Sequence, residues 1–447
     1  MSADVAYPLE RVNQVWLDEA ADLHETYIEG RPGGQRMFLS FKDARHLDLS
    51  GRNLATVEMV AANLSHAILI ETCLARANLF GANLQHARMR GCDLSRADLR
   101  GVNLSEADLE NADLREADIR NGFILVRDRR GNLTPIERTD GAATLTGVNL
   151  TGADLSGAMM RHVVGQRTNL TNANFRNANL TAANLSDSDV RGAVFTGADL
   201  TDANLSGCVF QGAMLSGAIL NNTNLEGADL TATHFVPNEM RYARMDNARL
   251  PRNIDNLDRT ILEIIADHGR WVASLGRSGN QADLSGVALH GIDFSGVDLQ
   301  AAILSLADIS NAALRAARLI MADLSGTLAL HADFSDADLR GVRMARANLS
   351  GAALRCARLG PIELVGLSGH KVFADLSEAR LDGADLGGVD LSGANLTRAS
   401  LRNVSLREAR LAGARLIDAN LTGADLRDAD IEGADLRGAI GYQPPLD

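Results

Sequence analysis

Three histidines, His46, His66 and His86, recur at every twentieth residue, and Glu106 is next in the series. Imidazole nitrogens and carboxylate oxygens are the donors of zinc and nickel sites. They hold a metal only where the chain brings them to one point, so the element that carries the spacing decides. A second pair of candidates shares a different pattern: His24 and Tyr27 are three apart, as are His268 and Trp271. The cysteines, Cys73, Cys92, Cys208 and Cys356, have neither metal-like nor disulfide-framework spacing and read as reduced structural thiols. The sequence contains no P-loop, no G-x-S-x-G, no H-E-x-x-H and no C-x-x-C. It reads as a non-enzyme with no catalytic residue and no cofactor.

The element behind these spacings is a five-residue beat. From Leu49 to Ile119 every fifth position is Leu, Met or Ile, usually with Ala two before it, as in Ala77-Asn78-Leu79 and Ala97-Asp98-Leu99. The beat returns over Leu145–Leu250, Leu284–Leu359 and Leu376–Leu436. Five fits neither a helix face nor a flat strand. Such a repeat grows linearly, which overrides the usual division of 447 residues into globular domains. Aromatics are 4% of the chain, so the interior must be narrow and built from Leu and Ala. The net charge of -13 argues against a general nucleic-acid or anionic-membrane binder. No apolar run is long enough to span a bilayer and Met1 to Glu10 shows no signal region, so the expected location is the cytoplasm.

Three interruptions divide the beat. Around 121–143, two apolar stretches flank Gly131-Asn132, which predicts an inserted β-hairpin with Pro135 at an edge. Its candidate partner-binding residues are Phe123, Ile124, Leu125, Val126, Arg129, Arg130 and Ile136. Inserted loops on repeat proteins often carry binding; the alternative is a hairpin folded against the rod. Residues 251–281 carry a helical period through Leu257, Ile261, Ile264, Ile265, His268, Trp271, Val272 and Leu275, with Asp255 or Asn256 as cap and Gly276 as stop. Residues 360–373 read as a short loop. The segment 1–38 repeats the design of 251–281: Pro8 opens a helix, Val12, Trp16, Leu23 and Tyr27 line one face, and Gly30 ends it. This predicts a duplicated amphipathic cap, with the two histidines packed in it rather than forming a shared ligand site. The expected organisation is a cap over 1–38, a solenoid over 39–250, a helical linker or cap over 251–281, a second solenoid over 282–437 and a tail over 438–447. One continuous rod with the helix beside it is the alternative.

Tandem A(D/N)LXX, as in Ala198-Asp199-Leu200-Thr201-Asp202 and Ala394-Asn395-Leu396-Thr397-Arg398, resembles the pentapeptide-repeat family. The resemblance implies an all-β solenoid, a right-handed quadrilateral parallel β-helix with four repeats per coil. In it the central Leu, Phe or Met and the Ala two before point inward. Coils would stack at roughly 4.8 Å. Residues 20 apart then lie on neighbouring rungs: Asp298, Arg318, Asp338 and Arg358 alternate in sign, as do Asp390, Arg410 and Asp430, and Asn184, Asn204 and Asn224 make a polar ladder leading to Arg244. The same stacking sets His46, His66 and His86 side by side, so this weak candidate column is not read as a built metal site.

Two functions follow. The first is a rigid, non-enzymatic scaffold that binds a protein partner through its faces or the hairpin. The second comes from the resemblance: some bacterial members mimic duplex DNA, bind DNA gyrase or topoisomerase IV, and protect against topoisomerase poisons. Those members dimerise through their C-terminal ends, which implies a homodimer, although this tail lacks an evident dimerising helix. Mimicry over ~44 Å, the combined height of the first two runs, needs roughly 26 charges, whereas Asp48–Arg120 has 11 acidic against 8 basic residues and Leu145–Leu250 has 9 against 7, a net of only -5.

Overall fold

The computed structural model describes residues 9–122, 125–127, 133–135, 142–235, 239–363 and 370–442. The chain forms two compact units: Met1–Val209, Ala213–Asp229 and Phe235–Ala248 make the first, and Phe210–Gly212, Leu230–His234 and Arg249–Asp447 the second.

The first unit begins with strand β1 (Glu10–Arg11) and helix α1 (Gln14–Ile28). The N-cap is Asn13, whose side chain accepts from Trp16 N, so the helix starts beyond Pro8. Gly30, at φ +68°, follows its last turn. The buried stripe is Leu17, Ala21 and His24, whereas Trp16, Leu23 and Tyr27 are each more than a third exposed. The expected Trp16/Leu23/Tyr27 face is thereby corrected. A narrow i, i+4, i+7 stripe lies on the coil, and the larger apolar side chains border it.

Strand β2 (Lys42–Asp43), within the first coil of the solenoid, pairs in parallel with β1. Parallel bridges join Phe38 to Glu58, Asp43 to Asn63 and Asp48 to Ile68, and continue at the same 20-residue offset. Each repeat contributes one rung. The polar residue before the central Leu pairs across coils, as when Leu54 N donates to Cys73 O (2.7 Å) and Cys73 N to Arg52 O (2.9 Å). A β-turn follows, with its second central residue in the left-handed region. Asn, Asp, His and Gly recur there because they tolerate positive φ better than most residues. Leu at the centre and Ala two before it are buried from Leu49 to Leu230, and Phe175 stacks on Phe195 at 4.9 Å.

Strands β3 (Leu125–Arg127) and β4 (Leu133–Pro135) pair antiparallel in the first interruption. The ladder closes across it: Asn103 pairs with Thr144 and Asp118 with Met159, 41 positions on, after which Thr144 pairs with Val164 at the usual spacing. The last rung of this unit joins Asn224 to Arg244.

The second unit repeats the opening. Strand β5 (Arg252–Asn253) leads through a 3-10 turn at Ile254–Asn256 to helix α2 (Ile261–Ala273), and β6 (Val287–Ala288) pairs in parallel with β5. The cap is Thr260, not Asp255 or Asn256: Thr260 and Glu263 form a reciprocal capping box, while Asp255 lies within the 3-10 turn capped by Asn253. Rungs run from Asp283–Ile303 to Asn420–Ile440. Residues 360–373 are more than a loop, because β7 (Ile362–Glu363) and β8 (Lys371–Val372) pair antiparallel. Again the ladder closes across the insert, with Arg343 pairing to Asp375 and Arg358 to Asp390. Beyond Leu421 the inward residues Leu426, Ile431, Ala434 and Leu436 are only partly buried among the described residues.

Candidate functional site

The solenoid faces, the inserts and the histidines are the places where chemistry or binding could reside. On the faces, acids are matched by arginines at two spacings. Along one edge, Arg318 meets Asp298 at 3.0 Å, Arg358 meets Asp338 at 3.4 Å and Arg410 meets Asp390 at 3.9 Å. The polar ladder is continuous, with Asn204 Nδ2 donating to Asn184 Oδ1 (3.2 Å) and Asn224 Nδ2 to Asn204 Oδ1 (3.1 Å). The second spacing lies within one repeat: Asp98, Asp113, Asp118, Asp338, Asp425 and Asp435 each bind the arginine two residues on. The aspartate also accepts that arginine's backbone N–H, as in Arg120 N to Asp118 (3.2 Å), which closes the turn. The Arg427 guanidinium holds the Asp425 carboxyl at about 2, with burial opposing. These carboxylates are tied to arginines, which disfavours general acid–base chemistry.

The inserted hairpin carries the sequence-derived binding candidates. Leu125 and Val126 lie on β3, with Leu125 opposite Pro135 and Val126 opposite Thr134. Phe123, Ile124, Arg129, Arg130 and Ile136 lie outside the described residues. Where the insert leaves the coil, Arg100 covers the Phe80 ring at 5.1 Å.

The histidines fall into three sets. His46, His66 and His86 stack ring on ring, at 4.8 and 4.7 Å between centroids and nearly parallel. His86 Nδ1 lies 3.3 Å from Glu106 Oε2. Burial by its neighbours, then the charges of His86 and His46, lower the His66 pKa. The second set is the cap pair. His24 and His268 are fully buried, and each Nδ1 accepts a backbone amide at the start of a coil: Met37 N at 3.0 Å and Ala282 N at 3.1 Å. Burial lowers both pKa values, so both rings are neutral at pH 7. Both rest against an aromatic ring, Tyr27 at 6.0 Å and Trp271 at 5.6 Å.

The third set escaped the sequence reading. His234, His290 and Asp308, all in the second unit, have ligand atoms within 4.8 Å of one another. No local spacing announces them, because His234 comes from a separate stretch of that unit. The only trace is that His234 and Asp308 both occupy the polar position before a central apolar residue.

The cysteines are free. Cys92 and Cys208 fill the inward position usually held by Ala, and donate to Thr72 O and Leu185 O, each at 3.1 Å. Burial pushes the Cys208 thiol up to about 12 and Cys92 higher still, so neither is a nucleophile. Among the described residues, no helix is long and apolar enough to cross a membrane.

Comparison with known proteins agrees with this architecture. The family described as pentapeptide repeats (8 copies) matches residues 58–96, 92–122, 142–164, 166–197, 193–231, 282–320, 292–328, 332–360, 374–411 and 405–440. No curated protein matches the chain in sequence. Among solved structures, a trypsin-treated variant of QnrB1, a plasmid-mediated fluoroquinolone resistance protein, is 21% identical, covering 48% of this chain and 90% of its own at a TM-score of 0.29. HetL, a pentapeptide-repeat protein involved in heterocyst differentiation regulation from the cyanobacterium Nostoc sp. strain PCC 7120, is 22% identical over 93% of each chain at a TM-score of 0.16. Scores this low carry no conclusion of their own. The family match spans more than half of the chain, and with the 20-residue ladder it leaves one assignment: this chain belongs to the pentapeptide-repeat family, whose members fold as right-handed β-helical solenoids.

Proposed function

We propose that this chain is a non-enzymatic interaction scaffold. Its coils are quadrilateral, with four five-residue sides, and the insert at 121–143 presents the surface that a protein partner recognises. One observation carries this reading. The ladder closes across the insert at Asn103–Thr144 and keeps its 20-residue step on either side, so the coil gains nothing from the insert. A segment that the scaffold does not need, yet that carries its own strand pair, fits presentation to a partner. The partial burial of the apolar residues beyond Leu421 supports a second contact, a homodimer through the C-terminal end.

The alternative is a DNA mimic that modulates gyrase or topoisomerase. It requires carboxylates free to stand in for phosphates. The Asp–Arg pairs at both spacings weigh against it, because they cancel charge along the faces.

Affinity capture from the native cell, comparing the whole protein with a variant lacking Asn121–Gly141, tests the scaffold reading. The expected result is a partner retained by the whole protein and lost by the deletion; capture of the same partners by both rejects the insert as the binding surface. A gyrase supercoiling assay with and without quinolone separates the alternative. The scaffold reading expects no effect at micromolar protein.

A further inference from the structure

Three metal-ligating side chains meet in the second unit, although the solenoid needs none of them. His290 sits on the turn after buried Leu289, and Asp308 is one coil further along the ladder. The step between them is rigid: Ala288 pairs with Asp308, and Leu289 N donates to Asp308 O at 2.7 Å. His234 arrives on the Leu230–His234 segment. That segment is anchored by Thr233, whose buried hydroxyl donates to Phe210 O at 3.0 Å. Gly286 lets the segment approach. A Cβ there would lie 3.3 Å from the Thr231 methyl, and the residue has φ +64°.

The donors face one another. His234 Nδ1 is 3.8 Å from Asp308 Oδ2, and the His234 and His290 rings are 5.9 Å apart at 27°. Asp308 Oδ1 accepts Ser310 N at 2.9 Å, which fixes the carboxylate and leaves Oδ2 turned toward His234. Ligand atoms around tetrahedral zinc stand about 3.3 Å apart, so a small inward rotation of the exposed His290 and of His234 closes the set. A simple His–Asp pair explains two of the three groups. It leaves the third group, His290, without a role. A dication held by two neutral imidazoles and one carboxylate accounts for all three. Two nitrogens and one oxygen suit zinc-class ions and not calcium or magnesium, which take all-oxygen shells.

We propose that His234, His290 and Asp308 bind one divalent transition-metal ion of the zinc class, which pins the Leu230–His234 segment to the first coils of the second unit. Three protein ligands leave a fourth position for water. This inference does not depend on the scaffold reading. The histidine column provides an internal control, because its rings stack in parallel and do not converge.

The test uses the full chain stripped with a chelator, then titrated with cobalt(II), read by its visible d–d absorption, and with zinc(II), read by calorimetry. The expected result is one ion per chain. His290→Ala and Asp308→Asn should each weaken binding by roughly tenfold or more, while the triple variant His46→Ala/His66→Ala/His86→Ala binds as the parent does. Zinc should also slow amide exchange over residues 230–234. Far-ultraviolet circular dichroism checks that the variants fold; His290 is exposed and Asp308→Asn nearly isosteric, and His290→Gln stands in if either misfolds. Absence of binding at tens of micromolar metal (on the order of structural-site exclusion), unchanged affinity in the ligand variants, or loss of binding in the column variant overturns the proposal.

Discussion

Helices α1 and α2 both bury a histidine that accepts the first amide of a coil, yet different charges fasten them. On α1 the acids are on the helix and the arginine comes from the coil: Arg52 reaches Asp22 at 2.5 Å, Glu25 at 3.0 Å and the Asp18 carbonyl at 3.0 Å. On α2 the central charge is Asp267, beside His268. It accepts from Arg259 (2.8 Å), Asn280 (2.8 Å) and Arg270 (2.7 Å), all from the cap itself. The position equivalent to Asp267 on α1 is the exposed Leu23. The shared features are those that face the solenoid. Beyond the histidines, Arg36 donates to Thr56 O and Gln281 to Ala301 O (2.6 Å), each 20 positions on. Gly34 and Gly279 lie so close to the preceding helix that a Cβ would sit 2.3 Å from Tyr27 N and 2.4 Å from Asp267 O. The coil end thus dictates a histidine, a side-chain donor and a glycine, whereas the outer face of each helix is free to choose its own charges.

Removing the shared part should have the largest effect. His24→Ala and His268→Ala each strand a buried amide, at a cost of about 1–3 kcal/mol before any cavity term. His24→Ala should cost more, because His24 Nε2 also meets Ala55 O at 2.9 Å, while the corresponding approach of His268 to the Gln300 backbone falls outside hydrogen-bond geometry. Chemical denaturation, with amide exchange at Met37 and Ala282, measures both; equal costs would break the ranking.

The unshared part comes next. Asp267→Ala should loosen the second cap and leave exchange at Met37 unchanged, and Arg52→Ala should do the reverse. Acid sharpens the contrast. Both histidines have folded pKa values below 6.5 through burial, so unfolding takes up protons and both caps weaken as pH falls below about 6.5. Asp267 is held at about 2 against an ordinary 3.8 by Arg259 and then Asn280, with burial opposing. Its contribution is complete above the ordinary value and disappears as pH falls toward about 2. An acid titration should therefore show a late loss in the second cap that Asp267→Asn abolishes. The smallest effect belongs to the ladders: Arg318→Ala should cost about 0–1 kcal/mol, an exposed pair, and less in high salt.

Much of this was legible in the sequence. The beat marked Leu49, Leu54 and the later central residues, the resemblance implied that they point inward, and the histidine pairs marked the two helices that bury them. What misled was local. Trp16, Leu23 and Tyr27 are the large apolar residues of α1, but the helix buries its narrow stripe and sets them at the border. Thr260-x-x-Glu263 is a readable capping box that the nearer Asp255 obscured. The Asp–x–Arg pairs hid because two-residue spacing has no meaning on a helix and acquires one only in a turn. His234, His290 and Asp308 could not have been found by spacing, since they meet only after the chain has folded.

The scaffold reading stands on the coil being complete without its insert. Amide exchange on a variant lacking Asn121–Gly141, the 21 residues by which the Asn103–Thr144 rung exceeds the usual step, measures this. Thr144 N and Asn149 N, which donate to Val102 O and Ala107 O, should keep their protection in that variant. A deletion one residue longer or shorter should lose it, by shifting every inward side chain off its position. Loss of protection in the 21-residue deletion itself would show that the insert is part of the solenoid and refute the reading.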